Sequence, residues 1–158
     1  MLAIYPASRG FGYAVMESPE NLIDWGVKSA NGRKNAVCLA QTRELIRFFG
    51  PTVLVIEDHR RKGSRRCLRV QSLLESLGRL ANHEGVKVRG ISPAKVRRTF
   101  TPWGAVTKHQ RAVVLADRLP ELAHHLPPVR KPWMPQDHWT PVFEALALAV
   151  AFLEPRDR

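Results

Sequence analysis

The run Leu2-Ala3-Ile4-Tyr5-Pro6-Ala7-Ser8-Arg9-Gly10-Phe11-Gly12-Tyr13-Ala14-Val15 constrains the fold of this chain more than any other segment. Leu2-Ala3-Ile4 is apolar, Ser8-Arg9-Gly10 is turn chemistry, and the residues after it return to aromatic and branched side chains. A short buried strand, a tight turn and a second strand pairing back on the first account for all three parts.

The remaining elements follow from periodicity and punctuation. Strands are expected at residues 2–4, 11–16 and 22–27, with Ser18-Pro19-Glu20-Asn21 turning between the last two. A helix is expected from about residue 33 to 49, stopped by Gly50-Pro51. Thr52-Val53-Leu54-Val55-Ile56 is continuously apolar and β-branched, the pattern of a central strand covered on both faces, and Glu57 and Asp58 stand at its carboxyl end. Val70, Leu73, Leu74, Leu77, Leu80 and Ala81 form one helical stripe that Gly85 closes.

A strand at 86–91 comes next, and Ser92-Pro93 caps a short basic helix through Phe100. Thr107 caps a further helix ending before Pro120. Residues 126–135 are a Pro-rich loop, and a last helix holds 142–153. The order βββ-α-β-α-β-α-α-α fits a mixed α/β sheet of five strands with helices on both faces. One domain over residues 1–158 suits the length.

Charge points to the partner. Lys and Arg total 25 against 14 Asp and Glu, a net +11, which favours polyanions by electrostatics and counterion release. No basic amphipathic helix with an aromatic apolar face marks a membrane surface, and no apolar run approaches the ~20 residues of a span. No signal-peptide pattern is present. Cys38 and Cys67 lack metal or disulfide spacing and read as reduced thiols, so a cytoplasmic location is expected. Without a GxxxxGK[ST] or GxGxxG motif, ATPase and dehydrogenase chemistry are unsupported. Nucleic acid is the favoured partner.

The opening hairpin, the acidic end of the fourth strand and the Ala-rich last helix together resemble the RuvC-like branch of the ribonuclease H superfamily, over nearly the whole chain. The resemblance implies a ribonuclease H-like fold and places metal-binding carboxylates at the ends of strands one and four and at the start of the last helix. Those places hold Tyr5, Glu57 and Glu144 here. Tyr5 replaces the family's first aspartate, Ala7 its usual glycine, and Pro141 an acid or histidine. The family's Asp-Ala-Leu-Ala becomes Glu144-Ala145-Leu146-Ala147.

Two-metal phosphodiester hydrolysis needs carboxylates converging on ions ~3.5–4 Å apart. Glu57 and Glu144 are therefore the expected catalytic and metal-binding residues for Mg²⁺ or Mn²⁺. Tyr5 stands at the third position, where a phenol of pKa ~10 is a poor ligand. Asp137 is a further candidate ligand, and a helix-cap or solvated role competes for it. By strand alternation Asp58 points away from Glu57. Restoring the acid with Tyr5→Asp is expected to raise nuclease activity.

Arg60, Arg61, Lys62, Arg65 and Arg66, then Arg69, follow directly on the strand that presents Glu57. Arginine forks suit phosphate oxygens, and the carboxyl end of a central strand is where α/β sheets bind ligands. Lys95, Arg97 and Arg98 on the short helix, Lys108 and Arg111 on the next, and Arg130 and Lys131 in the loop extend the basic set. The segment around residues 92–110 resembles the part of RuvC-like resolvases that carries DNA-contacting lysines, with Lys108 the best match. Trp103 and Trp133 are candidates for base stacking or for core packing.

By resemblance the protein is a crossover-junction endodeoxyribonuclease homologue that binds branched DNA. A nuclease-dead DNA-binding module on the same fold is the alternative, and Tyr5 is the residue that separates them. A homodimer is expected, with the stripe-bearing helix as its face unless the stripe is spent on the sheet.

Overall fold

The computed structural model describes residues 1–60 and 66–154. Five strands form one sheet in the order β3-β2-β1-β4-β5. They are β1 (Leu2–Ala7), β2 (Gly10–Ser18), β3 (Asn21–Ser29), β4 (Val53–Glu57) and β5 (Lys87–Ile91). The first three are an antiparallel meander, and β4 and β5 run parallel to β1. The register Ala7↔Gly10 leaves Ser8-Arg9 as a two-residue turn, as the opening run implied.

Side chains on β1 and β4 alternate between two apolar cores, one on each face of the sheet. Leu2, Ile4, Leu54 and Ile56 join the core under α1 (Lys34–Phe49) and α2 (Leu68–His83). Ala3 and Val55 join the core formed with α3 (Pro93–Phe100), α4 (Lys108–Arg118) and α5 (Thr140–Leu153). Parity then puts Tyr5 and Glu57 on this second face, at strand ends. β4 is buried on both sides, which is why it is apolar without alternation.

The stripe of α2 is buried throughout, from Val70 to Ala81, so its apolar residues are consumed by the sheet face. Its end is a Schellman motif: Val86 N–H donates to the Ala81 carbonyl and Gly85 N–H to that of Asn82, with Gly85 at φ 75°. Ser92 and Thr107 cap α3 and α4, accepting from the backbone N–H of Lys95 and Gln110. The Gln110 side chain reaches back to Thr107 N–H and completes a capping box. Short 3₁₀ turns at Thr101–Trp103 and Pro120–His125 follow α3 and α4. Among the described residues no helix is long and apolar enough to cross a membrane, and both cysteines are free.

α5 is apolar on nearly every side because it is enclosed by β1 and β2 beneath and by α3 and α4 beside it. Its first turn rests directly on Gly12, where a Cβ would collide with the Pro141 backbone. This close approach seats the start of α5, and with it Glu144, over the ends of β1 and β4.

Candidate nucleic-acid site at the carboxyl ends of β1 and β4

β1 and β4 are paired only at Leu2↔Leu54 and Ala3↔Val55. Beyond that point β4 stays with β5 through Glu57↔Ile91, and the two central strands part. A cavity of about 680 Å³ opens there, lined by Tyr5, Glu57 and Glu144 together with Arg66, Arg97, Lys108 and Arg111. The two acids and the tyrosine matched to the family's ligand places thus share one pocket.

Arg66 occupies the gap between the parted strands. Its Nε donates to Glu57 Oε2 at 2.8 Å and its Nη2 to the Pro6 carbonyl at 2.8 Å. The guanidinium carbon lies 4.4 Å from the centre of the Tyr5 ring, a cation–π stack. Burial, with Glu144 and Glu57 adding to it, pushes the Tyr5 hydroxyl up to about 12 against the pull of Arg66 and Arg111. Tyr5 is therefore a neutral phenol under all physiological conditions.

Burial also raises the Glu144 carboxyl above the ordinary range, opposed by Lys108 and Arg111 and reinforced by Glu57. Arg111 is 9% exposed, its Nη1 donates to the Val106 carbonyl at 3.2 Å, and its buried Nε meets no acceptor among the described residues. It projects from the packed face of α4, beside Ala112, Leu115 and Ala116. In the sequence Arg111 is one more member of the basic set. An arginine in register with a buried stripe was the signal that could have singled it out.

The donor set does not fit a divalent cation. Mg²⁺ and Mn²⁺ take anionic oxygens in a tight shell. Here one position is a neutral phenol, Glu57 is already ion-paired, Pro141 offers no side-chain donor, and three cations face the remaining carboxylate. Among the described residues no group of three or more His, Cys, Asp or Glu converges.

Asp137 lies in an adjoining cavity of about 430 Å³ that shares Lys108 and Glu144 with the first. Its Oδ1 accepts from Trp139 N–H at 2.9 Å, a turn-capping bond just ahead of α5. Asp58 faces another cavity with His59 and Arg60, and its Oδ1 accepts from Arg60 N–H. Lys95 is half-buried on α3. Arg61, Lys62 and Arg65 lie outside the described residues. A further groove carries Tyr5, Arg66 and Lys108 on to Lys34, Arg69 and Arg130. Arg69 is also a structural tie, since it donates to Asn35 Oδ1 and to the Ala7 carbonyl.

The two tryptophans separate. Trp103 is covered by the Arg118 guanidinium at 4.0 Å and packs edge-on against Phe100. Trp133 is 77% exposed, with Lys131 above its ring.

An antiparallel β1–β3 meander continued by parallel β4 and β5, with helices on both faces, defines a ribonuclease H-like fold in its RuvC form. Among solved structures the chain is similar to Thermus thermophilus RuvC, with TM-score 0.68 and 18% identity over 96% of this chain and 92% of that one. It is likewise similar to T. thermophilus RuvC in complex with Holliday junction substrate, with TM-score 0.66 and 18% identity over 95% and 90%. The yeast mitochondrial Holliday junction resolvase Ydc2 aligns with TM-score 0.56 and 14% identity over 96% and 76%. No protein-family model matches the chain, and no curated protein matches its sequence. The likeness is one of fold.

Proposed function

We propose that this chain binds branched DNA, four-way junctions above all, through the basic trough at the carboxyl ends of β1 and β4, and that it does not cleave what it binds. The observation that carries the reading is Lys108: it is common to three adjoining cavities whose other cations are Arg66, Arg97, Arg111, Lys34, Arg69 and Arg130. Guanidinium and ammonium groups lining a continuous trough suit a phosphate backbone, and +11 supplies long-range attraction. The structural neighbours named for Holliday junctions favour a branched over a linear ligand. Cleavage is left out because the acids needed to hold metal are replaced, paired or opposed by cations. A homodimer would match the two-fold symmetry of a junction, although the α2 stripe is unavailable to form it.

The test is a band-shift comparison of a four-way junction with a linear duplex of equal length. Junction binding should be the tighter and should fall steeply with salt, by about −0.9 in log affinity per phosphate neutralised per decade of salt. Lys108→Ala should weaken it. Equal affinity for both DNAs, or indifference to salt, would remove this reading.

A further inference from the structure

We infer that Arg66 is the resident cation of this pocket, standing between Glu57 and Tyr5 so that a phosphodiester is taken up by side-chain cations without any divalent metal. The inference deepens the DNA-binding reading, on which it relies only for the class of ligand. Three contacts fix the guanidinium: the 2.8 Å bond to Glu57, the 2.8 Å bond to the Pro6 carbonyl and the stack on Tyr5. Each depends on a feature of the surrounding structure. The parting of β1 from β4 frees the Pro6 carbonyl, Tyr5 supplies a flat apolar floor where a carboxylate would attract a metal ion, and Glu57 supplies the counter-charge.

The rest of the pocket is completed for an anion. Arg97, Lys108 and Arg111 line it with Arg66, so four cations face two carboxylates among the described residues. Arg111 adds an independent sign, because its enclosed Nε has no acceptor among the described residues. A buried guanidinium N–H without a partner is costly, and a phosphate oxygen is the acceptor best matched to its fork. Tyr5 and Arg66 are positioning residues here, and Lys108 and Arg111 contact the ligand.

Two titrations of the wild-type chain decide the matter without DNA. Calorimetric titration with MnCl₂ should give only dilution heats. Saturable Mn²⁺ binding at sub-millimolar concentration, lost in Glu57→Gln, would overturn the inference. In the presence of chelator, inorganic phosphate should shift the amide resonances of residues around Glu57, Arg66, Lys108 and Arg111, and Arg111→Gln should weaken that response several-fold in a chain whose spectrum stays folded. Phosphate shifts absent from this pocket, or present only after Mn²⁺ is added, would also overturn it. Should junction binding fail while phosphate still binds here, the DNA reading falls and the anion pocket stands.

Discussion

The Arg66 guanidinium stacks 4.4 Å from the centre of the Tyr5 ring while bonding both Glu57 of β4 and the Pro6 carbonyl of β1, where the two strands separate. Each makes the other tolerable. The ring covers one face of a guanidinium whose edge is bonded to Glu57 and the Pro6 carbonyl, and the charge lies where an aspartate in place of Tyr5 would draw a metal ion.

Removing Arg66 should destabilise the fold. Arg66→Ala leaves the Glu57 carboxylate, only 14% exposed, without its 2.8 Å partner. Loss of about 1–3 kcal/mol is expected, read from urea unfolding. Arg66→Lys should recover part of it, because an ammonium keeps the charge and loses the fork. No loss in either variant would mean that the pair contributes nothing.

Tyr5→Asp alone should remain inactive as a nuclease, contrary to what the sequence suggests. The new carboxylate would lie against Arg66 and pair with it. Cleavage of a labelled junction with Mn²⁺ is the assay, and robust cutting by the single variant would show that Arg66 yields its place to metal.

Glu144 makes stability depend on pH. Its folded pKa lies above the ordinary 4.5 chiefly through burial, so the folded state holds this proton more tightly than the unfolded chain. Its stabilising contribution is complete below 4.5 and is lost as pH rises through the elevated folded value. Glu144→Gln should therefore be more stable than wild type at neutral pH, with the advantage shrinking as pH falls towards 4.5. Thermal melts across that window measure it. An advantage that stays constant with pH would assign the effect to packing.

Gly12→Ala should cost about 1–3 kcal/mol, the usual penalty for overpacking, because the added methyl meets the rigid backbone of Pro141. The seat of α5 would shift, so junction affinity should fall with stability. An alanine variant as stable as wild type would show that α5 has room to move.

The order of elements was legible because each signal is local. Alternation, the α2 stripe, and caps at Ser92, Thr107 and Gly85 all act within a few residues. The convergence of Tyr5, Glu57 and Glu144 was legible through strand-end positions and the family pattern. What Arg66 does was not. In the sequence it is one of several adjacent basic residues, and its place between Glu57 and the Pro6 carbonyl depends on the parting of β1 from β4, which pairing across the sheet sets. Arg111 was hidden for the same reason, since its burial depends on how α4 lies against α5. The fate of the α2 stripe, sheet or dimer, likewise needed the packing.

The most direct measurement is junction cleavage by wild-type protein in Mg²⁺ or Mn²⁺, run beside a band shift of the same junction in chelator. A stable complex in chelator and no cleavage with either metal are expected. Vigorous metal-dependent cutting by wild type, abolished in Glu57→Gln, would contradict it.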